Sequence, residues 1–189
     1  MKHLKPFNKL FENLNTPITI EQFLKAIGMS SDKFEVVTSW WNQNRRGFKI
    51  HHFPFSSPQP IAGVFLGVDE IAINSRLPMP PFMKLFLALH ESRHCDQHRE
   101  GDFMTQYYET VVGGNKELFL QGYRRLEQDA NDFAVNSMRE MGFSLEMDRE
   151  ERRIRSNEGA GEMVYRMMTS DIARFRPVDF IDLLKKQIL

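Results

Sequence analysis

One cysteine, no excess of either charge and no long apolar run set the first limits on this chain. With Cys95 alone an internal disulfide is excluded, and such sparse cysteine use fits a reducing compartment. Basic and acidic residues number 25 each, so no net field draws the protein to nucleic acid or anionic membrane, and polyanion binding needs a local patch. No stretch approaches the roughly 18 apolar residues of a membrane span. The opening MKHLKPFNKLFENL holds no apolar core of a signal peptide, so neither export nor membrane insertion is expected and the cytoplasm is the expected compartment. What remains is a chain of 189 residues, 41% hydrophobic and 26% charged, long enough for one soluble globular domain with small appended elements.

The chemistry concentrates in FMKLFLALHESRHCDQH, Phe82 to His98. His90, Glu91 and His94 form H-E-x-x-H. On a helix, residues four apart stand one above the other, so His90 and His94 can turn two imidazoles onto one metal ion. Glu91 lies about 100° further round, beside the pair, where a carboxylate can take a proton from water at the metal. Ahead of the motif, Met83, Leu85, Phe86, Leu87, Ala88 and Leu89 are apolar on almost every side, which marks a buried helix. Polar groups in such a helix are costly unless paired or bound to metal. Cys95 adjoins His94 but points about 100° away from it and reads as a small buried thiol.

Around this helix the chain divides into a helical N-terminal extension over 1–47, a core over 48–145 and a helical C-terminal extension over 146–189. A short amphipathic turn is expected around Phe7, Leu10, Phe11 and Leu14. Thr19 to Gly28 and Asp32 to about Arg45 read as two helices joined by a glycine turn, a layout shared with helix-turn-helix DNA binders. Trp40 and Trp41 are costly to expose, and few basic or amide residues form an outer face. The pair is therefore expected to pack its aromatics on the core, and DNA ranks below a protein partner. Phe48–Phe55, Ile61–Leu66 and Glu70–Asn74 read as short strands of a small antiparallel sheet, with Gly67-Val68-Asp69 as a tight turn. The stretch EIAINSR is expected to be an edge strand able to pair with an extended substrate. His51 and His52 on the first strand read as structural or surface residues. The motif helix is expected to start near Pro80-Pro81, and Asn115 to cap a long helix from Lys116 to about Met141. Glu146 to Arg155 reads as a solvated helix, Met163, Val164, Met167 and Met168 as core, and Pro177 as the start of a last helix.

Two histidines need a third protein ligand. His98 is close in sequence, but ligands at i, i+4 and i+8 on a straight helix span roughly 12 Å of rise and cannot share one ion. The extended motif with glycine at 97 and histidine at 100 is also excluded, because those positions hold Gln97 and Glu100. On the long helix Phe119, Tyr123, Leu126, Ala130, Phe133 and Ala134 define an inner stripe. Glu127 falls roughly 60° from its centre, whereas Glu117, Asp129 and Asp132 fall further out. Glu127 is thus the acidic residue expected to face inward and meet a cation, with Asn131 one turn on to support it or a ligating histidine.

AINSR, FLALHESRH and LEQDANDFA together resemble the ImmA/IrrE-type zinc metallopeptidases, a gluzincin-type pattern of H-E-x-x-H plus a downstream glutamate. The residues that carry the resemblance are Asn74, then His90, Glu91 and His94, then Glu127, Ala130, Asn131, Phe133 and Ala134. Ser92-Arg93 stands where the family has a small or apolar residue and a glycine. The resemblance implies a zincin-like α+β fold, a small antiparallel sheet packed on an active-site helix and a long glutamate helix. It also implies Zn2+ held by His90, His94 and Glu127, Glu91 as catalytic base, and a protein or peptide substrate cut at few sites. The expected activity is that of a zinc metalloendopeptidase, in which zinc lowers the pKa of its water towards ~7. An oxyanion donor is sought among Tyr123, Tyr107 and Tyr108, and His98 stays outside the ligand set. Two other readings stand beside this one: a DNA-binding regulator using residues 19–49, with Arg45 and Arg46 on the duplex, and a catalytically idle zinc-stabilised interaction domain. Idleness does not require Glu91, which is present.

Overall fold

The computed structural model of the chain describes residues 16–54, 62–101, 114–155 and 165. Expectations for the turn at Phe7 to Leu14, for the methionines from Met163 to Met168 and for the helix at Pro177 lie outside the described residues, as do Tyr107 and Tyr108. Within them the architecture is α+β, with five helices and one three-stranded sheet.

Local signals set the helix ends. Helix α1, Ile20–Ile27, opens on a capping box in which Thr19 Oγ1 accepts from Gln22 N–H while Gln22 Oε1 accepts from Thr19 N–H. It closes at Gly28, whose φ of 75° is left-handed backbone that glycine adopts without strain. Helix α2, Ser31–Asn44, follows directly. After the sheet, α3, Pro81–Arg99, starts on a proline at its first position, where no backbone N–H is missed. Helix α4, Lys116–Glu140, is capped by Asn115, whose side chain accepts from Leu118 N–H. Helix α5, Ser144–Arg155, carries the expected mixed charge but is not solvated all round, because Met147 and Ile154 are buried. None of these helices is long and apolar enough to cross a membrane.

The sheet departs from expectation in two ways. Strands β1 (Lys49–Phe53), β2 (Gly63–Phe65) and β3 (Glu70–Asn74) are ordered β1-β3-β2. The sheet is mixed rather than antiparallel: β2 and β3 form the hairpin around Gly67-Val68-Asp69, but β1 runs parallel to β3. EIAINSR is therefore the central strand, not an edge. Ile71, Ala72, Ile73 and Asn74 are all buried, and since successive side chains alternate between faces, both faces of the sheet are covered there. Among the described residues the edge strand beside α3 is β2.

Helix α3 packs on β2, β3 and α4, and α1 reaches both β1 and α3, so the motif helix lies in the middle of the fold. The tryptophans sit as their cost of exposure demands. Trp41 is buried edge-on against Phe48, and Trp40 Nε1 donates to Glu140 Oε2 at 2.7 Å. Arg45 is buried with them. Its guanidinium lies 4.2 Å from the Phe133 ring centre and donates to Asp96 Oδ2 at 2.7 Å, tying α2 to α3 and α4. Burial pulls its pKa down, and the Asp96 carboxylate works against that. Asp96→Ala would leave this guanidinium buried without its counter-charge. The expected loss is about 3 kcal/mol of unfolding free energy, read by chemical denaturation, with much of it recovered in Arg45→Met/Asp96→Leu.

Candidate metal centre

The middle of α3 and the middle of α4 meet at one point. His90 Nε2 and His94 Nε2 lie 3.0 Å apart, with the ring planes at 86° to each other. Glu127 approaches from α4 with one oxygen for each ring: Oε2 is 3.4 Å from His90 Nε2 and Oε1 is 3.4 Å from His94 Nε2. His90, His94 and Glu127 are the group of ligand-bearing side chains that could hold a metal ion among the described residues. Both histidines are buried and Glu127 is partly so.

The spacing suits a small tetrahedral ion. Ligand atoms at 2.0–2.1 Å from a tetrahedral zinc stand about 3.3 Å from one another, close to the nitrogen–nitrogen distance and to the distance from each nitrogen to its nearer Glu127 oxygen. Two imidazoles and one carboxylate also leave a fourth position for water. Two ring nitrogens and the two oxygens of Glu127 meet at this spot, and their charges are coupled. Burial opposes charge on His94, but Glu127, Glu91 and Gln97 together raise its pKa to about 9. Burial alone would raise the Glu127 carboxyl, yet the two histidines hold it well below the usual carboxylate range.

Glu91 is buried beside the cluster, on the side of β2. Burial raises its pKa and Glu127 adds to this, while His90, His94 and a hydrogen bond from the Phe65 backbone act the other way. The approach to the strand is close: a Cβ on Gly63 would stand 3.0 Å from both Glu91 Cγ and Leu87 Cγ, and 3.2 Å from Glu91 Oε1. Glycine at 63 is what lets the strand and the carboxylate share this space.

The other ring nitrogens have amide partners. His90 Nδ1 is 3.0 Å from Asn131 Oδ1, and His94 Nδ1 is 2.7 Å from Gln97 Oε1. Asn131 thus supports a histidine, one of the two roles its position offered. Gln97 carries the same duty for His94 and was missed by pattern reading, although its place three residues after His94 puts it on that side of the helix. Asp129 and Arg93 were missed as well: Arg93 Nε donates to Asp129 Oδ2 at 2.7 Å across the α3–α4 contact. The remaining candidates lie elsewhere. The His98 ring faces Phe65, at 6.0 Å between centroids, and Cys95 is buried with its Sγ 3.6 Å from the Glu70 carbonyl, where burial pushes the thiol pKa up. His51 pairs with Glu70 at 2.9 Å, His52 stands edge-on to Phe23, and Tyr123 stacks on Phe119. Asn74 ends β3, with its Oδ1 accepting from Arg76 N–H.

Comparisons with protein-family models, curated proteins and solved structures find no match to this chain. The ligand set is testable by metal content. His94→Ala and Glu127→Ala are expected to lose most of about one zinc ion per chain, whereas Glu91→Gln keeps it. Full occupancy in Glu127→Ala, by elemental analysis after dialysis, sinks the assignment of that glutamate.

Proposed function

We propose that the protein is a zinc-dependent metallopeptidase that hydrolyses a peptide bond in a protein partner, with His90, His94 and Glu127 holding the ion and Glu91 acting as general base. The observation that carries this reading is the buried Glu91 carboxylate, set between the ligand cluster and an edge strand. A metal site that only stabilises a fold has no use for it. Two imidazoles and one carboxylate at tetrahedral spacing suit zinc, which when bound would supply Lewis acidity towards water and a carbonyl oxygen.

The chain's own groups do the rest. Burial raises the proton affinity of Glu91 above that of an exposed glutamate, which makes it a better acceptor for a proton from water and a competent donor to the leaving amine. Its bond from the Phe65 backbone holds the carboxylate in place. On either side of β2, Asn74 N–H donates to the Ala62 carbonyl and Leu66 N–H to the Glu70 carbonyl, so Gly63 turns its backbone groups away from β3, while the Phe65 backbone turns to Glu91. An extended peptide aligned along that edge runs past Glu91, oriented by main-chain bonds that ask for no particular side chain. The motif order that resembles the ImmA/IrrE-type peptidases, and the zincin-like core it implies, point the same way. Arg45, one of two bases on which duplex binding would rest, is occupied by Asp96 inside the fold, which favours a peptide over DNA.

Glu91→Gln is expected to retain zinc and to lower peptide hydrolysis by about 10²–10⁴. Gly63→Val is expected to retain zinc too and lose about tenfold or more, because the added carbon displaces the carboxylate. Both are measured by mass spectrometry on a peptide library with the zinc-loaded protein. Cleavage that survives unchanged in Glu91→Gln rules out the catalytic assignment.

A further inference from the structure

Hydrogen-bond parity fixes which nitrogen of His94 carries the hydrogen. Gln97 is buried, with its Nε2 at 2.7 Å from Asp129 Oδ2 and 3.1 Å from the Leu126 carbonyl oxygen. A carboxylate and a carbonyl only accept, so the NH2 end of the amide has to lie on that side. The amide oxygen is thereby turned to His94 Nδ1 at 2.7 Å. An amide oxygen also only accepts, so Nδ1 is the donor, and Nε2 is the nitrogen whose lone pair would meet a bound ion. Nε2 is the nitrogen on the side of the ligand cluster, 3.4 Å from Glu127 Oε1 and 3.0 Å from His90 Nε2.

The anchor of this chain is an ion pair between helices. Arg93 Nε donates to the same Asp129 oxygen at 2.7 Å, and Arg93 Nη1 reaches Glu100 at 3.4 Å. Arginine stays charged and its fork is planar, so it holds the carboxylate in one orientation. Arg93 and Gln97 are four apart on α3, one above the other, and both reach the same residue on α4. Asp129 is two residues beyond Glu127, so whatever fixes Asp129 against α3 also fixes the stretch of helix that delivers Glu127.

We infer that Gln97, held by the Arg93–Asp129 pair, is a positioning residue that locks His94 in the Nδ1–H tautomer and so aims its Nε2 at the ion. This rests on the metal reading above. Neither residue touches the ion or the substrate; both act through His94. Partners of this kind orient a ligating imidazole and raise its basicity, and their loss lowers metal affinity by about 10–100-fold.

The test uses the full chain and zinc, with two readouts. Long-range ¹⁵N–¹H correlation spectra of the zinc-loaded protein identify the protonated and the metal-bound nitrogen of each histidine. Competition with a chelator gives zinc affinity for wild type, Gln97→Leu, Asp129→Asn and His94→Ala, with circular dichroism to confirm the fold. The wild-type spectrum is expected to show His94 with hydrogen on Nδ1 and zinc on Nε2. Gln97→Leu is expected to bind zinc at least about tenfold more weakly, and Asp129→Asn more weakly by a smaller factor. Asp129 is half exposed, at 46% of its side chain, so Asp129→Asn and the wild-type spectrum still decide the matter if Gln97→Leu does not fold. Zinc on His94 Nδ1, or wild-type affinity in both variants, overturns the inference. Wild type that takes up no zinc removes the metal reading and this one together. Zinc lost in His94→Ala but undiminished in the other two overturns the positioning role alone.

Discussion

Electron-rich atoms from three side chains, held within a few ångströms of each other in a protein interior, repel unless something positive stands among them. In this molecule the two Nε2 atoms are 3.0 Å apart and each is 3.4 Å from a Glu127 oxygen, all packed against the same core as the sheet. Desolvation makes such a cluster costly, and the fold surrounds it with what makes it tolerable: amide oxygens on the far side of both rings, and an arginine–aspartate pair on its flank. The apolar turns of α3 before the motif bury the helix, and the long stripe on α4 brings a second helix against it. Neither helix alone could assemble the site.

What the sequence made legible follows from how local each signal is. Helix ends at Thr19, Gly28, Pro81 and Asn115 are set by bonds within a few residues, and there the structure agrees with the reading. Glu127 was also accessible, because a helical period ranks the acidic residues of one helix by their angle from the apolar stripe. Strand order was not. That β1 lies parallel to β3 depends on a return across the sheet that no short pattern encodes. EIAIN nonetheless carried a warning, since a strand apolar at consecutive positions is covered on both faces, as a central strand is. Asp129 was passed over because it falls further from the apolar stripe, and its use arises from the crossing of α3 and α4. Gly63 had a signal that could have been heeded: a glycine inside a short strand often marks a close approach.

Arg93 shows how a departure from a family-like pattern can carry information. It stands where the resembling family has glycine, and a glycine there could make none of the contacts with Asp129, Asp96 and Glu100. The N-terminal helices are bound in similarly. Arg45 reaches through from the end of α2 to Asp96, one helical turn below Ser92, and Trp40 takes Glu140 at the end of α4. A basic residue next to two tryptophans here serves the interior.

The side chains that could hold a metal ion lie on two helices separated by a long stretch of chain, in a protein whose single cysteine excludes an internal disulfide. With an ion in place, His90 and His94 are tied to Glu127 through a shared atom, and the segment between them becomes a closed loop. The ion then restricts the unfolded chain as a covalent staple does, by removing loop-closure entropy, but the link is made by deprotonated ligands and undone by a chelator or by acid. The compactness of this domain and the occupancy of its centre become one thermodynamic quantity. In a domain built this way, withdrawing a bound ion would loosen the fold as well as empty the centre.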